Sequence, residues 1–336
     1  MTIKERKEGL ASLGNWFNTI TSTELDQLIL MAGNENTWFT PESIQSAFTA
    51  WGKVLTLDKI EQWVARRALA PTSARRIGLI MAGNIPLVGL HDLLTVLISG
   101  NEAHIKYSSQ DRALMSAVVR QLIEINPAFR ERIKVIEMLN DVDAIIATGS
   151  DNSARYFKHY FAKYPHIIRQ NRVSVGIIKG NETEEQFAKI GQDAFQYFAL
   201  GCRNVSKVFV PKGFELPKLI KSLEGFSQIL DHHKYRNNYD YNKSIYLVNR
   251  EPHLDSGFFM MRESEELVSP ISVIFYETYE SEAALDLKLS AHREKIQCMV
   301  SAGAWYEGSL DFGEAQTPEL WDYADGVDTL EFLAEL

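Results

Sequence analysis

The sequence predicts an α/β protein: a parallel sheet covered by helices on both faces, a second and smaller α/β unit, and a helical layer ahead of them. Three observations predict it. Between residues 76 and 210, short apolar runs of the kind that fill buried parallel strands alternate with stretches at helical spacing. A further strand–helix–strand succession follows at residues 271–276, 282–289 and 296–300. Residues 1 to about 70 carry helical spacing only.

Composition narrows the class. A chain of 336 residues with 45% hydrophobic and 24% charged residues has length for two cores and the balance of a globular protein. The net charge of -9 argues against a nucleic-acid partner. No apolar run approaches the roughly 20 residues that span a bilayer, and no apolar segment of signal-peptide type follows the charged start Lys4-Glu5-Arg6-Lys7. The cysteines Cys202 and Cys298 make no disulfide framework, so a reducing cytoplasm is the expected compartment. No fixed-period repeat or low-complexity segment is visible.

In chain order, Thr40-Pro41-Glu42 is an N-cap with proline at the first helical position, ahead of Ile44, Phe48 and Trp51 at helical spacing. A second helix runs through Ile60, Trp63, Val64 and Ala68 and stops before Pro71. Residues 77–82 are a buried strand, Gly83-Asn84-Ile85-Pro86 a turn, and residues 87–99 a buried helix capped by Gly100-Asn101. Strands are expected at 103–107, 135–138, 144–147 and 173–178, with helices at 113–125 and 153–162. Thr183 and Gln186 form a capping box, and Phe187, Ile190, Ala194, Phe195 and Phe198 mark one face of a helix running into Gly201. A strand at 206–210 leaves just beyond Cys202. Residues 216–223 read as a helix, 232–242 as polar and aromatic without a period, and 244–248 as a strand. The tail, with Pro318 and Gly326, ends in a short amphipathic piece.

A thiol at a helix-to-strand junction after glycine can face a cleft. Taken alone, a small buried hydrophobe is the commoner role. Asn84, Lys106 and Gly149-Ser150 sit at carboxyl ends of expected parallel strands, where such sheets bind ligands. No GxGxxG fingerprint and no P-loop is present.

The chain resembles the aldehyde dehydrogenase superfamily, and within it the bacterial fatty acyl-CoA reductases of the bioluminescence (LuxC) type. The resemblance rests on Met81-Ala82-Gly83-Asn84-Ile85-Pro86, Ile146-Ala147-Thr148-Gly149-Ser150, the stretch around Cys202, Glu265-Glu266-Leu267-Val268-Ser269-Pro270, and Ala315-Gln316-Thr317-Pro318-Glu319-Leu320, in the family's order. It implies an aldehyde dehydrogenase-like fold. The divisions expected from it are a helical layer over 1–70 packed on the cofactor domain, a Rossmann-like NADP-binding domain over 71–199, a catalytic domain over 200–310 and a return segment over 311–336.

It also implies roles. Cys202 matches the nucleophile and Asn84 the asparagine that helps hold the oxyanion. Lys106 matches the lysine that reaches the adenosine ribose, and Gly149 and Ser150 the turn that receives the pyrophosphate at a helix N-terminus. Glu266 matches the glutamate that bonds the nicotinamide ribose. Ser109 stands near the position where NAD-preferring members keep a glutamate that repels a 2′-phosphate, so NADPH is expected over NADH. Alignment of residues 173–178 puts Arg169 where hydrolytic members keep their general base. With no carboxylate among His166, Arg169, Gln170, Asn171 and Arg172, water would be poorly activated.

These roles imply an NADPH-dependent reduction of an acyl-CoA substrate to an aldehyde through an acyl-cysteine. The alternatives are a cysteine acyltransferase or thioesterase without hydride transfer, and a non-catalytic nucleotide- or acyl-binding relative. The resemblance leaves a homo-oligomer open. The interval from Cys202 to Glu266 is short for the superfamily, so the catalytic domain is expected to be trimmed. Of the remaining ionisable groups, His91-Asp92 reads as a satisfied core pair and Arg203 as solvated or ion-paired. Arg169 and Arg172 read as solvated, with CoA phosphates as the functional alternative. His232-His233 lacks further ligands at metal spacing, so no metal is expected. Cys298 reads as buried and inert.

Overall fold

A computed structural model describes residues 1–65 and 73–336. The chain falls into two units, Met1–Asn171 with Glu319–Leu336, and Arg172–Pro318.

The first unit opens with four helices: α1 (Ile3–Thr19), α2 (Ser22–Glu35), α3 (Pro41–Val54) and α4 (Leu57–Val64). Each starts on a threonine whose hydroxyl accepts an N–H of the first turn: Thr2, Thr21, Thr40 and Thr56. Thr40 followed by Pro41 behaves as its sequence predicts. The expected continuation of α4 to Ala68, and the division at residue 70, lie outside the described residues.

A five-stranded, wholly parallel sheet follows, formed by β1 (Arg76–Ile80), β2 (Glu102–Lys106), β3 (Ile133–Val135), β4 (Ala144–Thr148) and β5 (His166–Arg169) in the order β3-β2-β1-β4-β5. Its helices are α5 (Leu90–Ser99), α6 (Arg112–Ile125) and α7 (Asp151–Tyr160). One core joins the layers. Leu10, Leu13, Ile44 and Trp63 of the leading helices pack with Leu94 of α5 and with Val118 and Leu122 of α6, all buried.

Several elements differ from expectation, each for a local reason. Helix α5 starts at Leu90 rather than 87, because Leu87 has φ 59° and gives its N–H to Asp111 Oδ2. Gly100, at φ 92°, closes it as a left-handed cap. The strand expected at 135–138 lies at Ile133–Val135, and Val135 and Met138 are exposed rather than core. Strand β5 was not expected; it pairs in parallel with β4, Ile145 with His166 through Thr148 with Arg169.

The second unit carries β6 (Val173–Ile177), α8 (Glu184–Phe195), β7 (Val205–Pro211), α9 (Leu216–Ser222), α10 (His233–Asn249), β8 (Leu254–Asp255), β9 (Met260–Glu263), β10 (Val273–Tyr279), α11 (Glu282–Ala291) and β11 (Ile296–Ser301). Its six-stranded sheet runs β11-β6-β7-β10-β9-β8, antiparallel only between β8 and β9. Strand β6, expected with the 71–199 domain, therefore belongs to this second sheet, and helix α8 to the same unit. The return segment divides too: residues up to Pro318 stay here, while Glu319–Leu336, with helix α12 (Thr329–Ala334), belong to the first unit.

The segment at 232–248 is a correction. Residues 244–248 form no strand; they end α10, and Leu247 and Val248 are exposed. The helix buries Tyr235, Tyr239, Asn242 and Tyr246, so its period is written in tyrosines and one asparagine. Helix α8 likewise ends at Phe195, short of Gly201. Tyr197, Phe198 and Ala199 all take positive φ, which turns the chain sharply before Cys202.

Candidate active site

Cys202 stands, half-buried, on a turn between α8 and β7. Asn204 builds that turn. Its main-chain N–H donates to Gly201 O at 3.1 Å, and its Oδ1 accepts from Gly201 N at 2.8 Å. Its Nδ2 donates to the carbonyls of Asp193 (3.0 Å), Ala194 (3.3 Å) and Gln196 (2.8 Å). These lie at the C-terminus of α8, where carbonyls lack helical partners. One buried amide thus caps the helix and shapes the cysteine turn together. Sequence reasoning missed it; the only signal was an amide two residues past the thiol, at a helix-to-strand junction.

Two further anchors meet the same turn. Ser174 Oγ donates to the Cys202 carbonyl at 3.1 Å and lies 3.0 Å from Cys298 Sγ, and Cys298 N donates to Ser174 Oγ at 3.3 Å. Cys298 lies on β11 as expected, but half-buried and in contact with this anchor. On the other side, the half-buried Arg203 donates from Nη1 to Ala315 O at 3.2 Å. The Ala315 segment is held by Asp193, whose carboxylate accepts from Gly313 N (2.7 Å) and Ala315 N (2.9 Å). Burial pushes the Asp193 carboxyl up to about 6, although both N–H bonds pull the other way.

Glu266 lies in the same unit, exposed, after β9. Its N–H donates to Ser264 Oγ at 3.1 Å.

The other expected site residues lie in the first unit, at carboxyl ends of its sheet. Asn84 is exposed in the turn after β1. Asn36 Nδ2 donates to Gly83 O (3.1 Å), and Asp111 Oδ2 accepts from Leu87 N (2.9 Å), so the turn is held at both ends. Burial pushes the Asp111 carboxyl well above its ordinary range, and the nearby Glu35 adds to this while the Leu87 N–H opposes it. Gly83 is required: a Cβ there would stand 2.4 Å from Ser108 Oγ. Hence the Asn84 turn lies against the Ser108-Ser109 turn. Lys106 ends β2 and Ser109 sits just past it, both exposed. Gly149 and Ser150 follow β4, with Ser150 as the N-cap of α7.

The remaining candidates have partners of their own. Arg169 is buried, ion-paired with Asp92 and donating to Thr329 Oγ1 at 3.0 Å; it is not solvated. His91 bonds Leu320 O at 2.9 Å and packs on Trp63 and Tyr323, while Asp92 is ion-paired with Arg169. Arg172 donates to Ile296 O at 3.4 Å. His232 is the N-cap of α10, stacked on His233 and packed at a tilt against Phe198. Among the described residues, no group of three or more His, Cys, Asp or Glu is placed to hold a metal, and no helix is long and apolar enough to cross a membrane.

Residues 34–245 match the family described as "Acyl-CoA reductase (LuxC)". The chain belongs to this family. A relative, the "Long-chain acyl-protein thioester reductase" of Aliivibrio fischeri, is 26% identical over 215 residues, 57% of this chain and 44% of the relative. This LuxC-family chain therefore spans less than half the length of that curated relative. Among solved structures, the aldehyde dehydrogenase KauB from Pseudomonas aeruginosa is similar at TM-score 0.69 and 12% identity, covering 99% of this chain and 83% of that one. An aldehyde dehydrogenase from Bacillus cereus, solved as an NAD+ complex, gives TM-score 0.62 at 13% identity over 90% of this chain and 72% of that one. At these identities the likeness establishes the fold, which is aldehyde dehydrogenase-like.

Proposed function

We propose that this LuxC-family chain is an acyl-CoA reductase that forms an aldehyde through an acyl-Cys202 intermediate, with NADPH preferred over NADH. The observation that carries the reading is the half-buried Cys202 thiol on a turn braced by Asn204, Ser174 and Arg203. Thiolate attack on the thioester carbonyl forms the new carbon–sulfur bond. The resulting oxyanion takes hydrogen bonds from the Cys202 N–H and, by family resemblance, from Asn84 Nδ2. Collapse breaks the bond to the CoA sulfur, which leaves as a thiolate and takes a proton from water.

A dinucleotide fits the first unit's strand ends. Gly149 has no room for a side chain, since a Cβ would stand 2.8 Å from Ser153 Cβ and 3.0 Å from the Phe157 ring. Bare main chain therefore leads into the N-terminus of α7, which favours a pyrophosphate. Lys106 is exposed and available to a ribose, and Ser109 offers a hydroxyl in place of a repelling carboxylate. When bound, the reduced nicotinamide supplies the hydride, and Glu266 is assigned to its ribose. Arg169, locked to Asp92, offers no base for hydrolysis of the acyl-enzyme.

The test is intact-protein mass spectrometry with acyl-CoAs of graded chain length and no reduced cofactor. An adduct that persists, maps to Cys202 and discharges as aldehyde on adding NADPH is expected. An adduct unchanged in Cys202→Ala removes that residue from the mechanism.

A further inference from the structure

Strand β7 leaves the cysteine turn and at once takes hold of another segment. Ser206 Oγ donates to Leu267 O at 2.7 Å. The next residue, Lys207, donates from Nζ to Glu265 O at 3.0 Å. The residue between those two carbonyls is Glu266. With its own N–H on Ser264 Oγ, the main chain is fixed on both sides of Glu266, while the Glu266 side chain stays exposed.

Lys207 is an unusual residue for this position. Its side chain is 0% exposed, and an ammonium is costly to bury unless paired and hydrogen-bonded. It is ion-paired with Glu277 on β10 and lies 4.9 Å from the Phe209 ring centroid. Burial pushes the Glu277 carboxyl up, but hydrogen bonds from Lys207 and Lys288 outweigh it and hold the group below its ordinary range. Packing alone would be served by a methionine of similar length and no charge. What the ammonium adds is a directed bond to Glu265 O, made from the strand that begins at the Cys202 turn.

We infer that Lys207, assisted by Ser206, is a positioning residue that fixes the Glu266 carboxylate relative to the cysteine turn. The inference rests on the assignment of Glu266 to the nicotinamide ribose. It makes β7 a ruler: one end carries the nucleophile, and the next residues set where the cofactor's reactive end is gripped.

The full chain tests this with two readouts: the Kd for NADPH and for NADH by nucleotide fluorescence, and the rate of Cys202 alkylation by iodoacetamide without nucleotide. Lys207→Met is expected to weaken the preferred nucleotide about tenfold and to leave Cys202 alkylation within twofold of wild type. Glu277 keeps its pairing with Lys288 in that variant, so no carboxylate is left bare. Ser206→Ala should act in the same direction by about threefold, and it carries the test if Lys207→Met does not fold. Glu266→Gln, measured alongside, separates the two ideas. If Glu266→Gln weakens binding while Lys207→Met and Ser206→Ala do not, the positioning role is wrong and the ribose assignment stands. If Glu266→Gln changes nothing, or wild type binds neither nucleotide, the ribose assignment fails and the inference with it. Parallel losses in binding and alkylation would make Lys207 a general support of the unit and overturn the inference.

Discussion

The cysteine turn and the Asn84 turn are both held by a buried polar side chain, but by different chemistry. Asn204 is a neutral amide with both ends engaged on main chain. Asp111 is a carboxyl that presents Oδ2 to Leu87 N–H, while its buried Oδ1 has no hydrogen-bond partner among the described residues. The first brace is indifferent to pH and needs an amide. The second tolerates an amide and carries a titration. The main-chain N–H of the proposed nucleophile, expected to meet an oxyanion, gains from a support that cannot change charge.

The largest expected effect lies at the thiol itself. Cys202→Ala should abolish acyl-enzyme formation, read by mass spectrometry, because no other group is assigned to carry the acyl chain. Asn84→Ala should slow acylation by roughly two to three orders of magnitude, the usual cost of one oxyanion donor. Stopped-flow CoA release measures it, and an unchanged rate would strike Asn84 from the chemistry.

The brace comes next. Asn204→Asp keeps the oxygen for Gly201 N–H but sets a second carboxylate oxygen against three carbonyls. It should be destabilised by more than Asn204→Ala, for which about 2–3 kcal/mol is expected from unsatisfied buried groups. Denaturant melts of both variants check the order; equal losses would mean that the carbonyl contacts are immaterial.

Asp111 supplies the pH arm of the comparison. Its folded-state pKa is raised by burial above the ordinary 3.8, so the folded state holds its proton to higher pH than the unfolded state. Its contribution to stability is therefore lost as pH rises from about 4 through the raised value. Asp111→Asn removes that slope. The difference in Tm between variant and wild type should move in the variant's favour from pH 4 to pH 8, whereas Asn204→Ala should show a constant difference. The smallest effect expected is one of preference: Ser109→Glu should shift thermal protection from NADPH toward NADH, with little change in the unliganded Tm.

The strands and helices between β1 and β7 were legible because apolar runs there are punctuated by glycine and proline. Strand β5 escaped because it has only the residues His166–Arg169, flanked by Pro165 and a polar run, and two of its four residues are basic or imidazole. Helix α10 escaped because tyrosines at positions 235, 239 and 246 carry its buried face, and Ile245, Leu247 and Val248 imitate a strand. At the site, motif positions could be read directly, since each is a residue type in a local turn. The supports could not. Asn36, Asp111 and Ser174 act across 47, 24 and 28 residues of chain, and no local pattern records such partners.

One hydroxyl links the two cysteines of the second unit. Ser174 has a single hydrogen to give, and the Cys202 carbonyl can only accept it. Its oxygen also lies 3.0 Å from Cys298 Sγ and accepts the Cys298 N–H, so one hydroxyl joins the second cysteine to the turn of the first. A modification of the Cys298 sulfur would disturb the hydroxyl that orients the Cys202 carbonyl, and would be felt at the cysteine turn without touching it.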